Sequence, residues 1–371
     1  MNIPFAKPVF LGKEKEYLAD AIASGWISDG PYVERFEKDF LRYFEGSSGL
    51  TTSSGTTALH LALLALGIGP GDEVIVPGYT FVAPVNMVLA VGAKPVYAEA
   101  DPITWCIDPR SVEKQITSKT KAIIAVHVYG NVCDLPSLRA IADKYKLFLI
   151  EDVAQAAFSK YEQKYAGSFG DVGCFSFQAT KTVAMGEGGF VVTPYKNVYE
   201  KMCLIRDHGM NKEKRYWHEV IGYNFRLTNL QAALGCAQLE HINEIIFQRK
   251  NLYHWYRNHL ANQEGITLQG FETQAQPVVW STAIKIESTV FKKDRDQIMQ
   301  LLKAAGIETR PGFYGFHRLP PYQDGAPDLP IAGTIGEQII LLPCFISFKE
   351  QEVEFICHEI KKLRAQIPIT I

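Results

Sequence analysis

Short apolar runs alternate with helical patterns between Glu73 and Lys146, and this alternation constrains the fold more than any other feature of the sequence. Apolar runs of strand length are Val74–Val76, Pro95–Ala98, Ala122–Val128 and Leu147–Ile150. Segments with helical periodicity separate them, at Ala83–Ala90, Pro109–Ile116 and Leu135–Lys146. Strands that alternate with helices predict an α/β fold with a mostly parallel sheet and right-handed crossovers. Ligands of such sheets bind at the carboxyl ends of the strands.

The rest of the chain predicts a second, smaller unit. A length of 371 residues allows two or three domains. From about Gly265 the pattern changes to shorter strands and helices, so we expect a large domain at 1–240 and a small C-terminal α+β domain at 241–371. Further predicted elements are a helix from Thr228 to about Leu260, strands at Val278–Ile286 and Ile307–Arg310, and an irregular segment at Pro311–Pro330.

The charge and the cysteines exclude several classes of function. Lysine and arginine total 38 and aspartate and glutamate 40, so the net charge of −2 leaves no basic footprint for nucleic acid or an anionic membrane. The seven cysteines are scattered without a Cys-x-x-Cys pair, which argues against a disulfide framework or a zinc site. The N-terminal residues lack the pattern of a signal peptide and no apolar stretch fits a membrane span, so we expect a cytoplasmic protein.

A lysine lies at the centre of the segment Phe175–Gly189. An apolar run, Val172–Phe177, precedes it, and another, Phe190–Thr193, follows a Gly-Glu-Gly-Gly turn. Lys181 would therefore lie on a tight connection between two buried strands, where lysine is rare without a partner. A desolvated amine loses its proton more readily and can form a Schiff base with a carbonyl. A solvated lysine on a surface turn is the alternative that this stretch alone leaves open.

Two other segments carry polar groups at predicted strand ends or helix starts. Asp152 follows a buried strand and precedes Gln155 by three residues. Its carboxylate needs a partner. One alternative is that Asp152 caps the next segment by accepting hydrogen bonds from its first backbone N–H groups, and the other is that it pairs with a cationic ring nitrogen. Gly55 and Thr56 open a strongly helical run, and this start can serve as a simple cap or as a phosphate site.

These groups together meet the needs of one cofactor. Lys181 can form an imine, Asp152 can keep a pyridine nitrogen protonated, and Phe81 can cover a flat ring. The Ser176 hydroxyl and the helix start at Gly55 can bind a phosphate. Pyridoxal 5′-phosphate needs these groups, because its ring acts as an electron sink when the ring nitrogen carries a proton. We therefore predict this cofactor and no metal.

The sequence resembles the sugar aminotransferases of the DegT/DnrJ/StrS family, in the fold type I (aspartate aminotransferase) superfamily, over almost the whole chain. The motifs that carry the resemblance are SGTTAL (54–59), GPGDEVIVP (69–77), HVYG (127–130), EDVAQ (151–155), GDVGCFSF (170–177), Lys181 with GEGG (186–189), and GYNFRLTN (222–229). So many motifs in one order make the resemblance specific. It implies a large domain, whose central sheet is flanked by helices, and a smaller C-terminal α+β domain.

The resemblance also implies roles for single residues. Lys181 corresponds to the lysine that forms the Schiff base and then moves a proton between Cα and C4′. Asp152 corresponds to the partner of the pyridine nitrogen, Gln155 to the contact of the ring hydroxyl, and Phe81 to the aromatic side chain that stacks on the ring. The implied phosphate ligands are Gly55, Thr56 and Ser176, with Asn224 contributed by the second subunit, which implies a homodimer with shared active sites.

The family usually moves an amino group from glutamate to a nucleotide-linked ketosugar. A related branch that removes a 3-hydroxyl group carries histidine in place of the lysine, so Lys181 favours transamination. The run from Arg215 to Asn229 looks most like the perosamine synthase group, which aminates C4 of a GDP-linked 4-keto-6-deoxysugar for polysaccharides such as O antigens. A 3-keto sugar or a cyclitol ketone as acceptor, and a non-catalytic sensor that binds the cofactor, are the alternatives.

Two departures from the family pattern lie near the predicted cofactor site. The glycines usual near Phe158 and near residues 162–163 are missing, and Gln178-Ala-Thr180 replaces the Phe-Gly-Asn common in perosamine synthases. A different sugar or nucleotide is therefore possible. Candidates for sugar or nucleotide contacts, with ordinary loop packing as the alternative, are His208, Arg215, Trp217, Tyr314 and His317.

Overall fold

The structure, a computed structural model, describes residues 2–323 and 327–364. Its helices are α1 (Glu14–Ser24), α2 (Pro31–Leu41), α3 (Gly55–Ala65), α4 (Ala83–Ala90), α5 (Pro109–Lys114), α6 (Leu135–Tyr145), α7 (Lys196–Arg206), α8 (Asn229–Glu240), α9 (Ile242–Leu260), α10 (Ser288–Phe291), α11 (Arg295–Ala304), α12 (Pro330–Gln338) and α13 (Glu350–Lys362). Its strands are β1 (Ser48–Thr52), β2 (Glu73–Pro77), β3 (Lys94–Ala98), β4 (Thr120–Val126), β5 (Phe148–Asp152), β6 (Lys160–Tyr161), β7 (Lys164–Tyr165), β8 (Val172–Ser176), β9 (Gly189–Thr193), β10 (Ile266–Leu268), β11 (Ala275–Gln276), β12 (Ala283–Ile286), β13 (Arg310–Pro311) and β14 (Ile339–Leu341).

The central sheet has seven strands in the order β1-β9-β8-β5-β4-β2-β3. Strands β8, β5, β4, β2 and β3 are parallel, and β9 runs antiparallel to both of its neighbours. The prediction of an α/β fold with a mostly parallel central sheet is confirmed. Strands β2, β8 and β9 are buried along their whole length, which explains why their sequences are continuous apolar runs rather than alternating ones.

Helices cover both faces of this sheet. Leu59, Leu61 and Leu63 of α3 pack with strands β2 and β4 in one core. Phe36 and Phe40 of α2 pack in a second core against aromatic side chains of the β8–β9 region. The sheet is thereby shielded from water on both of its faces, which leaves the ends of its strands as the place where a ligand can enter.

The direction of the strands brings distant parts of the sequence to one edge. Strands β4, β5 and β8 end at this edge, and β1, which is antiparallel to β9, ends there too. Strand β5 runs to Asp152, two residues further than the sequence pattern indicates. The short strand β1, which the sequence reading did not identify, delivers the start of α3 to the same edge.

A second sheet, in the order β10-β12-β14-β13, forms with α9, α11 and α13 a separate core. The first residues of the chain also join this core, because Ile3 is buried in it and forms a bridge with Ile307. Strands β1–β9 precede residue 240 and β10–β14 follow it; the boundary between 1–240 and 241–371 stays a prediction. Residues 324–326 of the predicted irregular segment lie outside the described residues.

Three predicted elements differ from the structure. The strand predicted at Ile307–Arg310 begins only at Arg310, as β13, while Ile307 forms an isolated bridge with Ile3. The long helix predicted from Thr228 to Leu260 is divided at His241 into α8 and α9. The strand predicted from Val278 is formed only from Ala283, because the backbone of residues 278–280 bonds instead to Ser159 and Tyr129. None of the helices in the described part of the chain has the length and apolar character that a membrane span needs.

Candidate active site

A pocket of about 490 Å³ lies at the carboxyl edge of the central sheet. Most of the predicted site residues line it, namely Gly55, Thr56, Phe81, Asp152, Gln155, Ser176 and Lys181. Asn224 does not line this pocket; it is exposed and forms a bridge with Asp207. The structure therefore brings together every predicted cofactor residue except the one that the resemblance assigns to a second subunit.

Lys181 lies on the connection between β8 and β9, as the sequence predicts. Its backbone N–H donates to the Gln178 carbonyl at 2.8 Å, which closes a tight turn. Its Nζ lies 4.1 Å from the centre of the Trp280 ring. Burial lowers the pKa of the amine from 10.5 to about 8, against the opposing attraction of Asp152. At pH 7 roughly a tenth of this amine is therefore neutral, far more than for an ordinary lysine, and the neutral form is the one that a nucleophile or a base requires.

Asp152 ends β5 with a buried carboxylate of 5% exposure. Its Oδ1 accepts a hydrogen bond from the Ala154 N–H at 3.0 Å. Burial raises the pKa of this carboxyl, while the Ala154 bond and the charge of Lys181 oppose the increase. A buried carboxylate with one backbone donor gains from a further cationic partner, which is the environment that a protonated ring nitrogen requires.

Gln155 is oriented by a strained turn at Tyr129. The Gln155 Oε1 accepts a hydrogen bond from the Tyr129 N–H at 3.0 Å, so the amide nitrogen is the group left to donate into the pocket. Tyr129 has a φ of 61°, and Gly130 follows with a φ of 100°. A Cβ at Gly130 would lie 2.4 Å from the Val278 carbonyl oxygen, so only glycine allows the chain to pass here.

The start of α3 has free backbone donors. Ser54 and Thr57 form a capping box, in which each side chain accepts the other residue's N–H. No group among the described residues accepts a hydrogen bond from the N–H groups of Gly55 and Thr56, so both remain available to bind an anion. A Cβ at Gly55 would lie 2.6 Å from the Ser176 Cβ, so only glycine leaves space between the start of α3 and Ser176. We call this space the Gly55–Ser176 cradle.

Aromatic side chains form the wall opposite the sheet. Phe81 is 53% exposed, and its ring lies 6.0 Å from that of Phe313. Phe313 in turn stacks on the Tyr129 ring at 5.3 Å. An exposed aromatic ring that is fixed by aromatic neighbours at a pocket mouth offers a flat face for another ring.

The residues present fit pyridoxal 5′-phosphate. The Gly55–Ser176 cradle offers backbone N–H and hydroxyl groups for a phosphate, and the Asp152 carboxylate offers a partner for a ring nitrogen. Lys181 supplies an amine of lowered pKa in the same pocket. These groups lie in one cavity although they are distant in sequence.

The structure adds pocket residues that sequence reasoning did not place there. They include Glu187, Trp280, Arg310 and Phe313, together with Gln178 and Thr180, which the sequence marked only as part of a departure from the family pattern. No local pattern singles out Trp280 or Arg310, because their position depends on how the second sheet packs against the first.

The loop residues suggested as substrate contacts are elsewhere. His208, Arg215, Trp217, Tyr314 and His317 do not line this pocket in the described chain. Tyr314 accepts a hydrogen bond from Arg295 at 2.9 Å, which is a packing contact.

Comparison with solved structures defines the class. Spr1654 of Streptococcus pneumoniae, described as a sugar aminotransferase and solved in its PLP form, matches with a TM-score of 0.92 and 28% identity over 98% of both chains. DesV of S. venezuelae matches with a TM-score of 0.90 and 34% identity, over 96% of this chain and 95% of DesV. The chain is a sugar aminotransferase that depends on pyridoxal 5′-phosphate.

Sequence comparison gives the family. The profile of the DegT/DnrJ/EryC1/StrS aminotransferase family matches residues 11–361, and the chain belongs to this family. GDP-perosamine synthase of Escherichia coli O157:H7 is 40% identical over 364 residues, which are 97% of this chain and 98% of that enzyme. The sequence-based prediction of the family and of the cofactor is confirmed.

Proposed function

We propose that this enzyme transfers an amino group from glutamate to C4 of a GDP-linked 4-keto-6-deoxyhexose. The similarity to GDP-perosamine synthases over nearly the whole chain supports this substrate. The observation that carries the reaction type is a lysine, not a histidine, at position 181, in a pocket with a buried carboxylate. The pocket extends past the cofactor residues to Arg310 and Glu187, which leaves charged groups for a polar acceptor.

The side chains divide the work of binding and proton transfer. The N–H groups of Gly55 and Thr56 would bind the phosphate, with a further bond from the Ser176 hydroxyl. Asp152 would keep the ring nitrogen protonated, and the Gln155 amide would donate to the ring hydroxyl. When bound, the cofactor supplies the electron sink that makes a substrate C–H bond acidic.

Lys181 moves the proton in this proposal. Its Nζ, whose pKa is about 8, can accept a proton and return it at neighbouring atoms near neutral pH. Phe81 covers the ring face, and the apolar walls exclude water that would compete for the reactive carbon. Replacing Lys181 with alanine should abolish turnover, whereas Lys196→Ala, at a side chain that is 88% exposed, should not change it.

The acceptor can be tested with purified enzyme, cofactor and glutamate. We expect 2-oxoglutarate to form with a GDP-linked 4-keto-6-deoxyhexose at a kcat/KM at least about 100-fold above that for dTDP-linked or 3-keto sugars, because binding groups placed for one substrate are left unpaired by another. Product NMR would locate the new amine. Preferred turnover of a cyclitol ketone or a 3-keto sugar would refute the proposed acceptor, and the absence of a glutamate half-reaction would refute the donor.

We further propose that the enzyme is a homodimer with shared active sites. The segment that bears Asn224 also exposes Tyr216 and Ile221, at 75% and 86%, and such large exposed apolar side chains favour an interface. Asn224 of the partner subunit would then complete the phosphate site.

Mixed dimers test this sharing. Lys181→Ala and Asn224→Ala subunits are each impaired alone. A hybrid would hold one complete site, so random mixing should restore roughly a quarter of the wild-type sites in a two-fold dimer. No recovery in hybrids that sedimentation shows to have formed would contradict shared sites.

A further inference from the structure

A buried arginine lies directly behind the pocket lysine. Arg249 of α9 is only 5% exposed. In residues 2–323 and 327–364 no carboxylate forms an ion pair with it, and its Nε has no acceptor. An arginine buried in this way is costly, because the guanidinium keeps its charge in proteins and is almost never buried without a counter-charge. Such a cost suggests a function other than stability.

The guanidinium binds the backbone of the pocket. Nη2 donates to the Lys181 carbonyl at 3.2 Å and Nη1 to the Trp280 carbonyl at 3.1 Å. Lys181 and Trp280 are also in contact through their side chains, with the amine 4.1 Å from the ring centre. Arg249 therefore fixes the two residues whose relative position determines where the amine points.

The charge of Arg249 is not neutralised by its neighbours. Its remaining polar contact is the Cys344 Sγ, 3.9 Å from Nη1. Burial raises the pKa of the Cys344 thiol, so the sulfur is uncharged near neutral pH. An uncompensated positive charge in a medium of low dielectric constant acts on nearby groups with little screening.

The charged groups that face Lys181 act in opposite directions. Asp152 on β5 and Glu187, in the turn before β9, favour the protonated amine. Burial is the largest influence and lowers the pKa of the amine, and Arg249 on α9 adds to it. Arg249 is therefore the positive group that offsets the two carboxylates.

We infer that Arg249 is a positioning residue for amino-group transfer, which fixes the Lys181 peptide and faces the amine with a buried positive charge that no carboxylate of the described residues pairs with. This inference rests on the role of Lys181 in the proposed function. Nothing in it depends on which sugar is the acceptor.

Three substitutions separate the effects of charge and of hydrogen bonding. Arg249→Met removes both, Arg249→Gln keeps a donor without the charge, and Arg249→Lys keeps the charge. Arg295→Met is the control for loss of a buried arginine, since Arg295 is also 5% exposed but does not line the pocket. Arg295 instead contacts Gly336 and Tyr314, and unlike Arg249 in the described part of the chain it forms an ion pair, with Asp296 at 2.8 Å. Thermal melting of each variant shows how much stability each loses.

The readout is the pH dependence of Lys181 modification by a small amine-reactive reagent, in the cofactor-free full-length protein, measured by peptide mass spectrometry. The wild-type midpoint should lie at about 8. In Arg249→Met and Arg249→Gln the midpoint should rise by about one pH unit, because removal of a nearby like charge favours the protonated amine. Labelling at pH 7 should then be about tenfold slower. Arg249→Lys and Arg295→Met should both retain the wild-type labelling midpoint. Arg249→Lys should nevertheless lower kcat, because an ammonium group cannot reproduce both hydrogen bonds of the guanidinium.

An unchanged midpoint in the variants that lack the charge would overturn the inference, because a merely structural arginine would lower stability without moving the titration of Lys181. If Arg249→Met does not fold, Arg249→Gln decides. Borohydride trapping of the cofactor on wild-type protein gives the separate check. Trapping at a lysine other than Lys181 would refute the proposed role of Lys181. The labelling midpoint would still decide whether Arg249 controls the pKa of the Lys181 amine.

Discussion

Replacing Lys181 with methionine should stabilise the cofactor-free protein at neutral pH. Burial lowers the pKa of this amine from 10.5 to about 8. Between pH 8 and pH 10.5 the unfolded chain holds a proton on Lys181 that the folded protein does not. The free energy of unfolding therefore rises with pH across this window, and below it Lys181 destabilises the folded protein by the full amount. The difference, 10.5 − 8 = 2.5, corresponds to about 3 kcal/mol at pH 7, at roughly 1.36 kcal/mol per pH unit.

Urea denaturation at two pH values isolates this effect. Methionine also changes packing, but that part does not depend on pH. The stabilisation by Lys181→Met should therefore fall from about 3 kcal/mol at pH 7 to about 1.4 kcal/mol at pH 9.5. Lys196→Met, at an 88% exposed side chain, should show no such dependence. If wild type and Lys181→Met differ by the same free energy of unfolding at both pH values, the environment of the amine does not oppose its positive charge.

Three further outcomes follow from contacts in and around the pocket. Gly55→Ala should weaken cofactor binding at least about tenfold in a fluorescence titration, since the new Cβ would lie 2.6 Å from the Ser176 Cβ, whereas Gly69→Ala, whose nearest contact would be 3.7 Å, should bind normally. Asp152→Asn should keep its bond to the Ala154 N–H and still bind cofactor, but lose roughly 10- to 1000-fold in kcat, because a neighbouring carboxylate shifts a pKa by about one to three pH units; near-wild-type turnover would contradict its role. Glu151→Gln should lower the unfolding free energy by about 3 kcal/mol in urea, because the buried Glu151 carboxylate accepts hydrogen bonds from the N–H groups of Gly167, Phe169 and Gly170, and an amide nitrogen would face these donors. A loss below about 1 kcal/mol would show that these hydrogen bonds are not important.

Sequence reasoning found the cofactor-binding half of the pocket because those residues follow strands. Asp152 and Ser176 end parallel strands, and Gly55 starts the helix after β1, so one topological rule places all three at the same edge. The roles of the individual residues, however, come from the family motifs, and the sequence reading did not identify β1, which brings Gly55 to this edge.

The other half of the pocket could not be predicted in this way. Trp280 lies in a segment that was predicted as a strand, and it reaches the pocket because its N–H bonds to the Tyr129 carbonyl at 2.9 Å. Arg310 comes from β13, a strand of only two residues. Both positions depend on packing between the two sheets, and contacts of that kind leave no local pattern in the sequence.

Strand geometry explains why two adjacent acids have different roles. Glu151 and Asp152 are both buried, but successive side chains of a strand point to opposite faces. Asp152 faces the pocket, whereas the Glu151 carboxylate accepts hydrogen bonds from the N–H groups of Gly167, Phe169 and Gly170 at 2.6–2.7 Å.

Glu151 also binds His127, and its contacts with the loop at 167–170 connect the acid to the strand that precedes the lysine. The His127 Nδ1 accepts a hydrogen bond from the Cys133 N–H, so its Nε2–H donates to Glu151 at 3.0 Å. The loop that Glu151 holds leads directly into β8, the strand that ends just before the Lys181 turn. One acid of the pair therefore faces the cofactor site and the other fixes the backbone from which the lysine approaches it, which explains why both carboxylates are buried at a single strand end.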